Sequence, residues 1–172
     1  LKVDGFRPEF DVSLAYNPHS TIIPVNRIEG FTWTLLSAQP SGSLVGGQGR
    51  AVRLDGGYDS FVSNPVIFID VGGDSSARSG GSRAAQWMLL EQAFDELQTK
   101  NHQGFDKLLT SRGRKALSAA RESGVFVFDA DRASDIVQVI RFSQQHELNT
   151  VISGATEGWM LADELAEAGI PV

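Results

Sequence analysis

The 172-residue chain contains no cysteine, only two methionines and no long uninterrupted apolar run. Without cysteine, disulfide frameworks, thiolate-bound zinc and thiol nucleophiles are excluded, and the redox compartment stays open. A membrane-spanning helix needs roughly 18–20 consecutive apolar residues, and no stretch approaches that length. Basic residues are few as well, since 15 Lys and Arg stand against 21 Asp and Glu, a formal charge of −6. Nucleic-acid binding needs clustered Lys and Arg, so we expect a soluble protein without nucleic-acid or membrane partners, in the cytoplasm, the periplasm or outside the cell.

The composition is that of one globular domain covering residues 1–172, with 41% hydrophobic and 21% charged residues. The chain begins with Leu1 and closes with Ile170-Pro171-Val172, which is typical of a helix stop followed by the opening of a buried strand. We therefore expect the chain to be a piece of a longer protein. Exposed edges of such a piece favour self-association into a homo-oligomer.

The hydrophobic pattern predicts strands and helices that take turns along the chain. The expected strands cover residues 31–36, 51–54, 66–70, 125–128 and 150–153. The expected helices cover residues 20–29, 83–100 and 105–123, one helix capped by Asp131, and one helix capped by Thr156 and running to Ala168. This order predicts an α/β fold of mainly parallel strands joined by right-handed helical crossovers, hence a (β/α) barrel or an open doubly wound sheet.

Carboxylates follow the predicted buried strands, where both architectures place their chemistry. Asp70 follows one strand, and Asp129 and Asp131 follow the next. Oxygen ligands suit magnesium, calcium or manganese, and they can complete a zinc site. An aspartate at a helix start is also a common N-cap; we interpret Asp131 in that way, whereas a cap and a ligand remain equally open for Asp129.

The remaining candidate motifs favour structural roles. His19, His102 and His146 are far apart in the sequence, without metal-binding spacing, which favours surface or capping positions. Residues 45–49 are rich in glycine but lack the dinucleotide-binding spacing and precede a strand. Residues 72–82 join a strand to a helix and are rich in Gly and Ser. We predict a flexible loop there, with anion binding at the helix start as the alternative.

Several segments resemble the amidohydrolase superfamily, in particular its imidazolonepropionase-like branch. The similar segments are Asn17-Pro-His-Ser20, Arg27-Ile-Glu-Gly30, Ser41 to Gln48, Asp129 to Ile136, Leu148 to Trp159, and Ala162 to Val172. The resemblance implies the middle of a (β/α)8 barrel, from about the second strand to the start of the seventh. It further implies a metal-dependent hydrolase acting on non-peptide C–N bonds of a small amide or cyclic amide, with a zinc-type divalent metal.

Two positions depart from the family pattern. Asp129 stands where the family has a histidine after the fifth strand, and Gly154 stands where it has a histidine after the sixth. Aspartate can replace histidine as a metal ligand, but glycine has no side chain to do so. We therefore expect no tightly bound metal and no hydrolysis by this segment alone, and its catalytic residues stay unknown. The alternative is a non-catalytic barrel of the same superfamily that serves binding or assembly.

Overall fold

A computed structural model describes residues 6–38, 43–73, 79–98 and 107–172. These residues form six strands, which are β1 Trp33–Leu35, β2 Val45–Gly49, β3 Ala51–Arg53, β4 Val66–Asp70, β5 Val125–Ala130 and β6 Thr150–Gly154. The α-helices of the same residues are α1 Ile22–Ile28, α2 Arg83–Gln98, α3 Ser111–Ser123, α4 Ala133–His146 and α5 Ala162–Ala168. Short 3-10 turns occupy Val12–Ala15 and Gly158–Leu161. No described helix has the length and apolarity needed to cross a membrane.

Four strands form a mixed sheet in the order β2-β4-β5-β6. The pairs β4–β5 and β5–β6 are parallel, as the helical connections predict, and β2 pairs antiparallel with β4. Beyond β6, the amide of Ile152 donates to the carbonyl of Pro171 at 2.9 Å, so the last residues lie beside this strand. The predicted α/β fold is therefore confirmed, with an antiparallel strand at one edge of the sheet.

One face of this sheet carries the helices. Buried apolar side chains of the strands and of α2–α5 form a single core. Its members include Ile67, Ile69, Phe126, Phe128 and Ile152 from the strands, and Leu90, Phe94, Leu117, Ile136, Val139 and Leu165 from the helices. A doubly wound sheet carries helices on both faces, whereas a barrel wall carries them on its outer face alone. Among the described residues these helices cover one face of a mixed sheet, and the residues form no closed barrel, so the barrel stays a prediction.

The opposite face of the sheet is only partly covered. Phe68 packs there with Ala38 and with the partly buried Val12, Val125 and Val127. Because side chains alternate along a strand, this face also carries the polar residues at the strand ends that make up the candidate site.

The segment before β2 differs from the expectation. The strand predicted over residues 31–36 is β1, which pairs antiparallel with β3 in a separate two-stranded sheet and is exposed throughout. The preceding helix forms, with Pro24 in its first turn. Helical periodicity in the sequence predicts that its four apolar residues, Ile22, Ile23, Val25 and Ile28, face inward. Only Ile23 is buried, while the other three remain exposed. Helical periodicity predicts the helix but not its burial, because α1 does not pack against the main core.

The glycine-rich stretch 45–49 is a strand of the main sheet, which the sequence pattern did not predict. A Cβ at Gly47 would overlap the carbonyl oxygen of Phe10, and a Cβ at Gly49 would overlap that of Leu36. The amide of Gln48 also donates to Phe10 at 2.6 Å. Gly47 and Gly49 therefore let two backbone segments pass close over β2.

The helices of the second half bury apolar side chains against the sheet. Leu90 and Phe94 of α2 are completely buried. The helix expected from residue 105 begins at Ser111, because the Thr110 side chain accepts a hydrogen bond from the Gly113 amide and caps it. Residues 74–78 and 99–106, with His102, lie outside the described residues. The prediction of a flexible loop over residues 72–82 falls partly on them and stays a prediction.

Candidate functional site

Polar residues of three neighbouring strands meet at their carboxyl ends. Asp70 of β4 is the register partner of Asp129 of β5, which is in turn the partner of Ser153 of β6. Neighbouring strands lie about 4.8 Å apart, so these three side chains form a row on the face of the sheet without helices. The structure thus brings together Asp70 and Asp129, as the strand-end argument predicts.

Asp129 occupies the electrostatically least favourable place in this row. Partial desolvation and the negative charges of Asp70 and Asp131 raise the pKa of the Asp129 carboxyl above its ordinary value. Asp70 is tied into its own turn, since its Oδ1 accepts the Gly72 amide at 2.8 Å. The surroundings of Asp129 therefore favour its neutral form.

Asp131 does not cap α4, which corrects the interpretation from the sequence. The N-cap of α4 is Arg132, which makes no capping bond with its side chain. Instead, Asp131 Oδ1 accepts the Thr156 hydroxyl at 2.5 Å and the Thr156 amide at 3.2 Å. These hydrogen bonds to the charged form lower the pKa of Asp131 below its usual range. Asp131 therefore remains ionised and fixes the loop after β6.

The loop after β5 and the loop after β6 are joined by hydrogen bonds in both directions. Glu157 Oε2 accepts the amide of Ala133 at 2.7 Å and so satisfies a free donor at the start of α4. The Thr156 side chain donates to Asp131, so the prediction that it caps the following helix is wrong. Its neighbour Glu157 precedes a 3-10 turn and makes no capping bond to that turn. Local sequence patterns do not predict the Ala133–Glu157 and Asp131–Thr156 hydrogen bonds, because each joins residues about 24 positions apart.

Gly154 occupies a position where any side chain would be strained and would displace Asp131. Its φ is +89°, in the left-handed region that glycine adopts without strain. A Cβ built on it would lie 2.8 Å from Asp131 Oδ1 and 3.4 Å from Asp129 Oδ1. The next residue, Ala155, also has a positive φ of 52°. The family's histidine at Gly154 would therefore require both a different backbone and a different position for Asp131.

The described residues do not fit a zinc-type centre. Within the described ranges, no three His, Asp or Glu side chains come together in an arrangement that could hold a metal ion. Asp131 Oδ1 already accepts two hydrogen bonds from Thr156, and the strand ends described here present no imidazole. The assignment of Asp129 as a metal ligand stays a prediction.

His146 lies in the last turn of α4 and is buried, so the expected surface position is wrong for it. It is buried between the rings of Phe94 and Phe142, with centroid distances of 4.8 and 4.4 Å. Its Nε2 lies 2.9 Å from a carboxylate oxygen of Glu91. His146 thus joins α4 to α2 inside the core. His19 is exposed, in agreement with its expected surface position.

The described residues thus form an α/β fold, with a mixed sheet covered by helices on one face and polar residues at the carboxyl ends of its parallel strands. The chain shares this fold with an amidohydrolase from Thermotoga maritima MSB8, at a TM-score of 0.84 and 21% sequence identity. The likeness covers 99% of this chain and 49% of that one, so the chain spans about half the length of this neighbour. No protein-family model and no curated protein matches the chain. The amidohydrolase-like fold is therefore confirmed, whereas the imidazolonepropionase-like branch stays a prediction.

Proposed function

We propose that the chain is a segment of an amidohydrolase-like hydrolase that acts on non-peptide C–N bonds of small amides or cyclic amides, and that the segment alone is inactive. The observation that carries the proposal is the fold shared with an amidohydrolase over 99% of the chain. The row of Asp70, Asp129 and Ser153 supports it, because barrel enzymes place their reacting groups at these strand ends. The face of the sheet opposite the helices is only partly covered, and Val125 and Val127 are partly exposed there. Further strands of a complete barrel would cover this face.

The inactivity of the segment follows from its donor set. Metal-assisted hydrolysis needs about three protein ligands around an open coordination position, together with a base. Asp129 is able to exchange a proton, but Asp131 is held by Thr156 and Gly154 offers no ligand. In this proposal Asp129 takes part in proton transfer or ligation only when further residues contribute to the site.

One observation favours the second candidate function, a non-catalytic barrel used for binding or assembly. The backbone of Gly154 and the position of Asp131 exclude a side chain where the family's histidine would stand. A member that has lost this ligand keeps the fold without the chemistry.

The test compares the 172-residue chain with the complete product of its gene. Both are assayed with added zinc or manganese against a panel of amides, dipeptides and lactams, with Asp129→Ala as the site variant. Asp163→Ala, an exposed aspartate of α5, is the matched control. We expect no turnover by the 172-residue chain, and turnover by the complete product that only Asp129→Ala reduces. Turnover by the chain alone would refute its inactivity, and an inert complete product would favour the non-catalytic barrel.

A further inference from the structure

Positive and negative charges are separated along the second half of the chain. Residues 107–121 contain five Lys and Arg and no Asp or Glu, whereas residues 142–172 contain five Asp and Glu and no Lys or Arg. The first segment includes α3, and the second includes α5. A third of the 15 basic residues thus falls in one short stretch of a chain whose formal charge is −6. Each segment therefore presents charge of a single sign.

The basic residues of the α3 segment are not neutralised by any described carboxylate. None of the five has a described carboxylate oxygen within 4 Å of its charged nitrogens. Arg112 and Lys115 are exposed and lie three positions apart, so they share one face of the helix and repel each other. Glu9 accepts the Thr110 hydroxyl beside α3, but it pairs with Arg7. An anionic partner would relieve the repulsion on this face.

The acidic residues of α5 border a groove of about 420 Å³ between α4 and α5. Its lining includes Val137, Ile140, Ala168, Arg141, Glu164 and Glu167. The three apolar side chains are buried or partly buried, whereas both glutamates are exposed. Lys and Arg side chains lay their apolar stems along apolar surface and keep the charged end in water. The groove therefore fits a basic side chain, since two glutamates outweigh the single Arg141.

One copy of the chain leaves these two surfaces apart, whereas two copies can bring them together. Helix α3 packs on β4 and β5, and α5 packs on α4. Both helices contribute to the core on the same face of the sheet. A two-fold axis can therefore place α3 of each copy against the groove of the other, so that the same contact forms twice. The exposed face of α3 continues to Ala119, whose small side chain permits close approach, and ends at Glu122.

We propose that the chain associates with a second copy of itself through this surface, with Arg112 and Lys115 of each copy against Glu164 and Glu167 of the other. Charge complementarity selects the partner, because α5 supplies the carboxylates that α3 lacks. The surface is separate from the strand edges of the sheet. Association through apolar strand edges would not weaken with salt, whereas exposed ion pairs are screened by it.

Sedimentation equilibrium of the 172-residue chain tests the salt dependence. We expect a monomer–dimer equilibrium at about 50 mM NaCl, with a dissociation constant at least about tenfold higher at about 500 mM NaCl. A chain that stays monomeric at low salt up to about 0.5 mM protein overturns the proposal, because even weak interfaces associate in that range. A dimer that salt does not weaken also overturns it and indicates association through the strand edges.

Reversing the charges identifies the surface. The α3 variant is Arg112→Glu with Lys115→Glu, and the α5 variant is Glu164→Lys with Glu167→Lys. Each variant alone is expected to dimerise at least about tenfold more weakly at low salt, because like charges then meet. An equimolar mixture of the two should recover the dimer, since opposite charges meet again at both contacts. The α5 variant also brings the net charge of −6 closer to zero, so a general effect of net charge would strengthen its association instead.

The matched control is Glu29→Lys with Asp59→Lys, which makes the same change of net charge at exposed positions outside both helices. It should dimerise at least as well as the parent chain. The proposal is overturned if the control is weakened as much as the α5 variant, or if the mixture stays monomeric while circular dichroism shows both variants folded. A variant that does not fold is replaced by Arg112→Ala with Lys115→Ala or by Glu164→Gln with Glu167→Gln, and unchanged dimerisation of either refutes the contact. None of these outcomes bears on hydrolysis, so the proposal stands or falls independently of the proposed function.

Discussion

Replacing Gly154 with alanine tests whether the site is built around the absence of a side chain. The φ of +89° costs an L-residue about 1–2 kcal/mol. The new Cβ would also lie 2.8 Å from Asp131 Oδ1. Asp131 can move away only by giving up its two hydrogen bonds from Thr156, at about 1 kcal/mol each. We therefore expect Gly154→Ala to lower the free energy of unfolding by about 2–4 kcal/mol, measured by urea denaturation.

Gly30 offers a closely matched control for the backbone contribution. Its φ is +93°, and nothing lies within 4 Å of a Cβ built on it. Gly30→Ala should therefore cost only the backbone strain, about 1–2 kcal/mol. In an Asp131→Ala background, the cost of Gly154→Ala should fall to that of Gly30→Ala. Equal costs of the two glycine substitutions in the parent chain, or an undiminished cost without Asp131, would refute the crowding argument.

Two further substitutions probe charges in the described structure. Asp129→Asn should raise the free energy of unfolding at pH 7 and leave it unchanged near pH 3. The pKa of Asp129 is raised in the folded state, so its ionised form destabilises the fold at pH values above the unfolded-state pKa. Near pH 3 the carboxyl is protonated in both states, and the substitution removes no charge. A decrease in stability at pH 7 would contradict this sign. Glu96→Gln should lower the free energy of unfolding by about 1–3 kcal/mol and speed hydrogen exchange at the Leu108 amide. The buried Glu96 carboxylate accepts that amide at 2.9 Å, so unchanged exchange would show that the contact does not hold the segment before α3.

The sequence predicts the second half of the fold far better than the first. Helix α4 has a long apolar stripe that faces the sheet, so periodicity identifies both the element and its buried side. Helix α1 also has several apolar residues, but only Ile23 is buried. Strand β2 was missed because three of its five residues are glycine. Gly47 and Gly49 allow the backbone at Phe10 and Leu36 to approach β2 closely, and a local pattern cannot predict contacts with such distant segments.

The candidate site was predictable where it depends on strand ends and not where it depends on contacts between loops. Asp70 and Asp129 directly follow apolar runs, so their meeting follows from parallel pairing. Asp131 was interpreted as a cap because local spacing favours one, whereas its actual partner, Thr156, belongs to the next βα unit. Burial of His146 depends on Phe94 of α2, a residue that local periodicity around α4 cannot reveal.

The unequal chain distances between paired strands set an order for folding. Register partners Val127 and Val151 of β5 and β6 are 24 positions apart, whereas Phe68 and Val127 of β4 and β5 are 59 apart. Closing the longer loop costs about 0.8 kcal/mol more in chain entropy, and α2 and α3 must dock before that pairing is covered. The antiparallel partners of β2 and β4 are only 17 to 24 positions apart. We therefore expect two local units, β2 with β4 and β5 with α4 and β6, to form first and to join afterwards through the pairing of β4 with β5.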